Sequence, residues 1–566
     1  LNKKREIILH TAIIFSFVMV VLRLTDLMII NHKRLAERAK QQHVKVENVT
    51  ARRGIIFDRL GREIALNLER ESLYGDPESL DLTNENIKKL ALVVEKEPRV
   101  ILSKIPEGGR FAWIERKLGP EAAEKIRALD IKGLGLLPEA KRYYPNGDLA
   151  SHILGFVGID NQALEGIELQ YDKYLKTAGG KIFLGRDASG RTLSSGVNTE
   201  AKGNNVVLTI DEVLQHITEK ELDRAMVKWR AAAASVIVMD PFTGEILALA
   251  NRPSYDPNRP GSASNSERRN RAITDCYEPG STFKIVIGAG SLEEKIVRPN
   301  SLFDVSRGGI EAGGKTIRDV HQYGVLSFQE VIQKSSNVGS IMVGMKLGKE
   351  RIYQYAKLLG FGEKTGIDLP GEVSGWMVPP EKWSGTSIGA IPIGQEVAVT
   401  PLQVLRAYSA IANGGFLVRP HVVSEVMSPD GQALVSFRNR EKKRVLSART
   451  AELFKDILKS VVEEGGTGQS ASVNGNEVAG KTGTAQMINP LTKRYSKEKY
   501  VSSFVGFVPA DDPKLAIIVV VYEPKGQIYG GVVAAPVFRD IADKALSYLD
   551  IPREDIPQRN ALLVMQ

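Results

Sequence analysis

Three short stretches hold residue types that could carry out acyl transfer together. In Glu278-Pro279-Gly280-Ser281-Thr282-Phe283-Lys284 a Pro-Gly turn opens an apolar, helix-patterned run through Ile285, Val286, Ile287, Ala289 and Leu292. A serine in the first turn of a helix sits among unpaired N–H groups at the positive end of the dipole. Lys284, three residues on, shares its face. A serine hydroxyl is a poor nucleophile until a base takes its proton, and an amine can do so only while neutral, which calls for desolvation and a second cation nearby. Ser281 is therefore the expected nucleophile. Ser335-Ser336-Asn337 adds a hydroxyl and a carboxamide two positions apart. Lys481-Thr482-Gly483-Thr484 reads as a strand with Thr482 and Thr484 on one face and Lys481 and Gly483 on the other. Gly483 is expected to let a substrate backbone lie close. Each stretch alone has a bland reading: S-x-x-K occurs on many surface helices, and Ser335 and Asn337 are good N-cap residues. In this order and at these spacings the three form one serine acyl-transfer set.

Other chemistries find little support. The 566 residues predict roughly three or four domains. The net charge of +9, from 76 basic and 67 acidic residues, is spread along the chain like an ordinary solvated surface and suggests no nucleic-acid module. The single cysteine, Cys276, rules out an internal disulfide and is expected to be a small buried residue. The seven histidines show no metal-ligand spacing, and no Walker-type loop is present.

The elements that must position the set follow from periodicity. Lys3, Lys4 and Arg5 precede an apolar run over 7–30, broken by Arg23 and Asp26. About twenty-four residues at 1.5 Å span roughly 36 Å, enough for a hydrocarbon core of ~30 Å, so one uncleaved transmembrane helix is predicted in preference to a signal peptide. Arg23 can snorkel or pair with Asp26. Residues 31–50 read as a polar stalk. Residues 52–65 read as two short strands about an Asp58-Arg59-Leu60-Gly61 turn, and 84–105 and 110–129 as helical. No nucleophile-and-base set appears before 205, so that region is expected to be a spacer or docking domain. From 205, a helix near 214–229, hairpins at 235–250 and 501–522 about Asp-Pro-Phe-Thr-Gly and Pro-Ala-Asp-Asp-Pro, the 481–484 strand and a closing helix over 536–549 predict an antiparallel sheet of about five strands packed with helices. The serine helix would lie beside one edge. Thr467-Gly468 reads as turn, and Tyr529-Gly530-Gly531 as a border of the cleft.

These blocks resemble the class B penicillin-binding proteins, most closely the cell-division (septal, FtsI-type) D,D-transpeptidases. The resemblance runs through RGIIFDRLGREIA, RYYPNGDLASHILGFVG, GIELQYDKYL, RNRAITDCYEPGSTFK, KSSNVG and AGKTGTAQ. It implies an α+β chain: cytoplasmic tail 1–6, transmembrane anchor 7–30, juxtamembrane stalk 31–50, mixed pedestal (dimerisation-like) domain 51–204, serine β-lactamase-like transpeptidase domain 205–550 and C-terminal tail 551–566. It implies a single-pass protein of the cytoplasmic membrane whose catalytic domain, outside the cytoplasm, crosslinks peptidoglycan stem peptides through an acyl-enzyme on Ser281 and is inhibited by β-lactams, with no metal or cofactor. Lys284 would be the base and Lys481 the like-charged neighbour that helps lower its pKa. Ser335 would relay the proton, and Asn337 would hold Lys284 and a substrate amide. Thr482, Gly483 and Thr484 would bind substrate, and the backbone N–H groups of Ser281 and Thr484 would form the oxyanion hole. Arg53, Gly54, Asp58, Arg59 and Gly61 would serve pedestal folding and docking. The implied partners are a SEDS-family glycosyltransferase (FtsW-type) and other divisome membrane proteins. An elongation-type class B enzyme, a D,D-carboxypeptidase, a β-lactamase and a non-catalytic β-lactam sensor remain the alternatives.

Overall fold

Hydropathy governs the first element. The helix Asn2–Thr25 continues as a π-helical turn, Asp26–Ile30. Lys3–Ile30, with mean hydropathy 2.3, is long and apolar enough to cross a membrane. Arg23 Nη1 lies 3.0 Å from Asp26 Oδ2, and Asn31 Nδ2 donates to Asp26 Oδ1 at 2.6 Å, so the two charges interrupting the run are paired as expected. The computed structural model describes residues 2–35, 44–49, 52–109, 111–176, 180–186, 192–197, 202–437, 442–488, 492 and 494–553. Residues 36–43 and 50 of the expected stalk and 554–566 of the expected tail lie outside these.

The chain divides into two compact units. One comprises Leu1–Arg52, Glu69–Lys141 and Lys176–Gly203. Within it the second half of the strand Glu63–Gly75 pairs antiparallel with Ala112–Leu118. Helices Asn84–Val94 and Pro120–Ala128 pack Leu90, Val94 and Ile126 against Leu73, Ile114 and Leu118. The segment expected to be helical over 110–129 is thus a strand followed by a helix. Ala112 and Ile114 turn inward with period two, and Pro120 after Gly119 sets the helix start. The expected helix over 84–105 likewise breaks at Glu95, which adopts φ +53, and resumes as Pro98–Leu102. Strands Val44–Val49, Gly180–Arg186 and Thr192–Val197 form a separate antiparallel sheet.

The second unit, Arg53–Leu68, Arg142–Leu175 and Asn204–Gln566, contains all three motifs. Helix α1 (Glu212–Trp229) is capped by the Asp211 side chain, which accepts from Val213 N and Leu214 N. Strands β1 (Ala233–Met239) and β2 (Ile246–Arg252) form the first hairpin. In its turn Asp240 Oδ1 accepts from Phe242 N at 2.7 Å, and Gly244 takes φ +80. After α2 (Lys284–Glu293), α3 (Asn337–Leu347) and α4 (Pro401–Ala412) come β3 (Ala479–Ile488), β4 (Tyr495–Val508), β5 (Leu515–Tyr522) and α5 (Ala535–Tyr548). The five strands make the expected antiparallel sheet in the order β2-β1-β5-β4-β3, with β1 and β5 meeting at its centre (Ile237↔Ile518).

Strand alternation explains the layers. Val236, Val238, Ile517 and Val519 pack with Leu214, Leu222, Phe538 and Ile541 of α1 and α5. Ile237, Ile518 and Val520 face the opposite cluster with Ile285, Ile287, Leu405 and Tyr408 of α2 and α4. Both faces are covered, so every residue of β1, β2 and β5 is buried. Each large aliphatic side chain contributes about 1.5–3 kcal/mol by leaving water. β3 closes one edge of the sheet, and its open side is the one the serine segment approaches.

Residues 53–68 and 142–175 of this unit meet around one carboxylate. Glu168 is fully buried; Arg53 Nε donates to it at 2.8 Å, Arg142 Nε at 2.5 Å and the Tyr144 hydroxyl at 3.3 Å. A Cβ on Gly54 would fall 1.8 Å from Asn204 O, so the glycine is required for packing. Asp58 Oδ1 accepts from Leu60 N and Arg62 N at 2.8 Å each, and Gly61 takes φ +83, which together form the turn expected there.

Candidate active site

Ser281 sits on a 3₁₀ turn, Gly280–Phe283, that runs directly into α2; it is not itself in the α-helix. The tighter turn eclipses residues three apart, which keeps Ser281 and Lys284 on one side. Packing specifies the turn. Gly280 has φ +53, its N–H donates to Gly394 O at 3.2 Å, and a Cβ on it would lie 2.9 Å from Thr484 O. Thr282 Oγ1 donates to Pro279 O at 2.8 Å, and the Tyr408 hydroxyl donates to Thr282 O at 3.0 Å. On the other side, Ser336 rather than Ser335 or Asn337 is the N-cap of α3, accepting from Gly339 N at 2.9 Å. The capping role is thus already filled, and Ser335, held at φ +58, is turned into the cleft.

The three motifs converge. Ser335 Oγ donates to Ser281 Oγ at 2.9 Å. Lys284 Nζ reaches Ser335 O at 2.7 Å, Ser335 Oγ at 3.2 Å, Ser336 O at 3.3 Å and Asn337 Oδ1 at 3.1 Å. Lys481 Nζ, arriving from β3, donates to Ser335 Oγ at 3.0 Å. Among the described residues the hydrogen bond to the Ser281 hydroxyl comes from Ser335, which touches both amines. The rim of the cleft is Thr482, Gly483 and Thr484. Thr482 Oγ1 lies 2.9 Å from Thr467 Oγ1, and Thr484 Oγ1 accepts from Gly530 N at 3.1 Å.

The family model of the penicillin binding protein transpeptidase domain matches residues 234–543, and that of the penicillin-binding protein dimerisation domain matches residues 48–208. The chain belongs to the class B penicillin-binding proteins. It is 36% identical to stage V sporulation protein D of Bacillus subtilis (strain 168), over 96% of this chain and 85% of that protein. It is 32% identical to the peptidoglycan D,D-transpeptidase FtsI of Escherichia coli (strain K12), over 97% of this chain and 92% of that one. The structure of penicillin binding protein 3 from Mycobacterium tuberculosis in complex with aztreonam resembles it with a TM-score of 0.70 at 29% identity, covering 90% of this chain and 98% of that chain. The enzyme is a peptidoglycan D,D-transpeptidase of class B, with the α+β fold, pedestal and transpeptidase domains that its motifs imply.

Burial sets the electrostatics of this penicillin-binding protein's cleft. Lys284 is fully buried, and burial is the main cause that brings its amine down to about 7, against the nearby Asp319 carboxylate, which pulls it up. Lys481 is pushed well below the usual lysine range, first by burial and then by the charge of Lys284. The two desolvated amines repel each other, which disfavours the doubly protonated pair, while the Asp319 carboxylate acts in the opposite direction on Lys284.

Gly483 also has a packing role within the protein. A Cβ there would lie 2.3 Å from Ser503 Oγ, 2.9 Å from Thr282 Cγ2 and 3.1 Å from Pro279 O, so the glycine lets β3 lie against the serine turn. Thr467, expected to be turn only, contacts Thr482. Gly530 and Gly531 border the cleft as anticipated, with Cβ positions 2.4 Å from Gly483 O and 2.2 Å from Thr467 O. Cys276 is exposed, not buried. It precedes Tyr277, which bridges to Val399, and alternation along that extended stretch turns Tyr277 inward and Cys276 outward. Asp319 was missed altogether. It lies in an irregular connection, and no periodicity or motif in the sequence marks it.

Proposed function

We propose that this chain is a septal transpeptidase whose reaction centre is Ser281, Lys284, Ser335, Asn337 and Lys481. The observation that carries this reading is the Ser335 hydroxyl, in contact with the nucleophile and with both buried amines. Ser281 Oγ attacks the carbonyl carbon between the two terminal D-alanines of a donor stem peptide. Its proton passes to neutral Lys284 through Ser335, whose hydroxyl hydrogen can rotate between partners. The oxyanion is met by the N–H groups of Ser281 and Thr484. As the C–N bond breaks, Ser335 returns the proton to the departing D-alanine amine. The donor's terminal carboxylate binds the Thr482 and Thr484 hydroxyls and, as a nearby anion, favours the protonated form of Lys481. An acceptor amine then attacks the ester carbonyl carbon; its proton passes to Lys284 and, as the C–O bond breaks, on to the departing Ser281 Oγ. Asn337 holds Lys284 and a substrate amide. No step needs a metal or cofactor.

The N-terminal helix anchors the chain in the cytoplasmic membrane, with Lys3, Lys4 and Arg5 inside and the catalytic unit outside. Glycan polymerisation comes from a SEDS-family glycosyltransferase (FtsW-type) contacted through the helix and pedestal, alongside other divisome proteins. Similarity to the FtsI relative supports the septal role. The sporulation protein D relative, at 36% identity, supports a second setting, sporulation, for the same chemistry. A stem-peptide thioester donor offered with an amine acceptor tests the reaction. Amide product exceeding hydrolysis supports transpeptidation, whereas hydrolysis alone contradicts it and indicates a carboxypeptidase. Complementation of a division-enzyme depletion separates a role in septation from one in sporulation.

A further inference from the structure

The left-handed turn that carries Ser335 ends the preceding helix, closed by Ser335 N to Ile332 O at 3.2 Å and Ser336 N to Val331 O at 2.9 Å, and these bonds leave its join to α3 unfixed. Its left-handed backbone is costly for a non-glycine residue and persists only where the surroundings impose it. Just beyond it, the first N–H groups of α3 lack partners within the helix. Asp319 supplies them. Its Oδ1 accepts from Asn337 N and, at 3.1 Å, from Val338 N, while its Oδ2 accepts from Ser336 Oγ at 2.7 Å. The preceding residue completes the arrangement: Arg318 O accepts from Asn337 Nδ2 at 3.4 Å, which turns Asn337 Oδ1 toward Lys284 Nζ. Arg318 and Asp319 are delivered by the hairpin Gly309–Ala312 and Lys315–Arg318. That hairpin is seated on the body of the unit. A Cβ on Gly313 would be 2.3 Å from the Gly385 carbonyl carbon, and one on Gly389 would be 2.5 Å from Ala312 Cβ.

We propose that Asp319 is a positioning residue of the reaction centre: it clamps the left-handed turn onto α3, fixing where Ser335 and Asn337 meet Lys284 and Ser281, and places one negative charge beside the lysine pair. The charged groups facing Lys284 are Lys481 from β3 and Asp319 from the hairpin. Around Asp319 stand Arg318, the Tyr323 phenol with His321 stacked edge-on at 6.2 Å, and Lys334 Nζ 5.8 Å above the Tyr323 ring. Asp319 is the carboxylate in that set, and it favours the protonated form of Lys284. Removing its charge should let Lys284 lose its proton at lower pH, even as the geometry deteriorates.

This inference rests on the assignment of Lys284 as the base, and one experiment separates the two. Full-length chain in detergent micelles is acylated with a fluorescent penicillin between pH 5.5 and 9, as wild type, Asp319→Asn and Asp319→Glu, with melting temperatures measured alongside. Asp319→Asn should lower the plateau rate at least about tenfold, since small misplacements of reacting groups are costly, and move the acid limb to lower pH. Asp319→Glu should lower the plateau and leave the limb in place. A folded Asp319→Asn protein with the wild-type plateau and limb, or with a lowered plateau and an unmoved limb, overturns the proposal. If Asp319→Asn does not fold, a wild-type plateau in Asp319→Glu overturns it. A wild-type profile without an acid limb contradicts the Lys284 assignment instead.

Discussion

Gly483→Ala tests how the nucleophile is positioned. Ordinary carbon contacts lie near 3.5–4.0 Å, whereas the added methyl would stand 2.9 Å from Thr282 Cγ2 and 3.1 Å from Pro279 O. Ser503 Oγ, at 2.3 Å, can rotate away. Thr282 cannot, because its hydroxyl is tied to Pro279 O and its carbonyl to Tyr408. The clash is relieved only by moving β3 and the serine turn apart by a large fraction of an ångström. Overpacking of this kind typically costs about 1–3 kcal/mol in stability, and a displacement of ~1 Å between reacting groups can cost about a hundredfold in rate. Stopped-flow acylation by a chromogenic cephalosporin, with a thermal melt in parallel, reads both. The expected result is a lower melting temperature and an acylation rate reduced by about tenfold to a hundredfold. Wild-type acylation with weakened crosslinking alone would show that Gly483 makes room for substrate, and would refute the packing argument.

Acylation should depend on one deprotonation near pH 7: below it Lys284 holds a proton and the rate falls about tenfold per pH unit, above it the rate levels off, as a pH–rate profile would show. Arg53→Ala should leave Glu168 buried with fewer cationic partners, at a cost toward the lower end of about 3–5 kcal/mol because Arg142 and Tyr144 remain; denaturant melts would measure it. Arg23→Leu, which breaks the pair with Asp26 in the anchor, should impair septation in cells while leaving β-lactam acylation at the wild-type rate. Loss of acylation in that variant would contradict a division of labour between anchor and catalytic unit.

The sequence made the parts with strong periodicity or dense motifs legible. Runs of Val, Ile and Ala in β1 and β5 marked strands of the sheet, and Asp240 with Gly244 marked the first hairpin. The joint order of Ser281-Lys284, Ser335-Asn337 and Lys481-Gly483 marked the cleft. Local pattern failed where tertiary packing decides. Residues 112–118 carry enough helix-compatible side chains to read as helix, yet pairing with Glu63–Gly75 makes them a strand. The packing of Gly483 against the serine turn was not legible, because that turn is some two hundred residues away in sequence. Asp319 and Thr467 lie in connections whose positions depend on distant contacts, Gly313 with Gly385 and Gly531 with Thr467.

The most direct test of the account is intact mass spectrometry of the full-length chain after incubation with a penicillin, wild type beside Ser281→Ala, followed over hours. The account predicts one adduct of the penicillin's mass on wild type, persisting through the time course, and none on Ser281→Ala. An adduct on folded Ser281→Ala, or none on folded wild type, would contradict Ser281 as the nucleophile; an adduct that forms and quickly disappears would point to a β-lactamase.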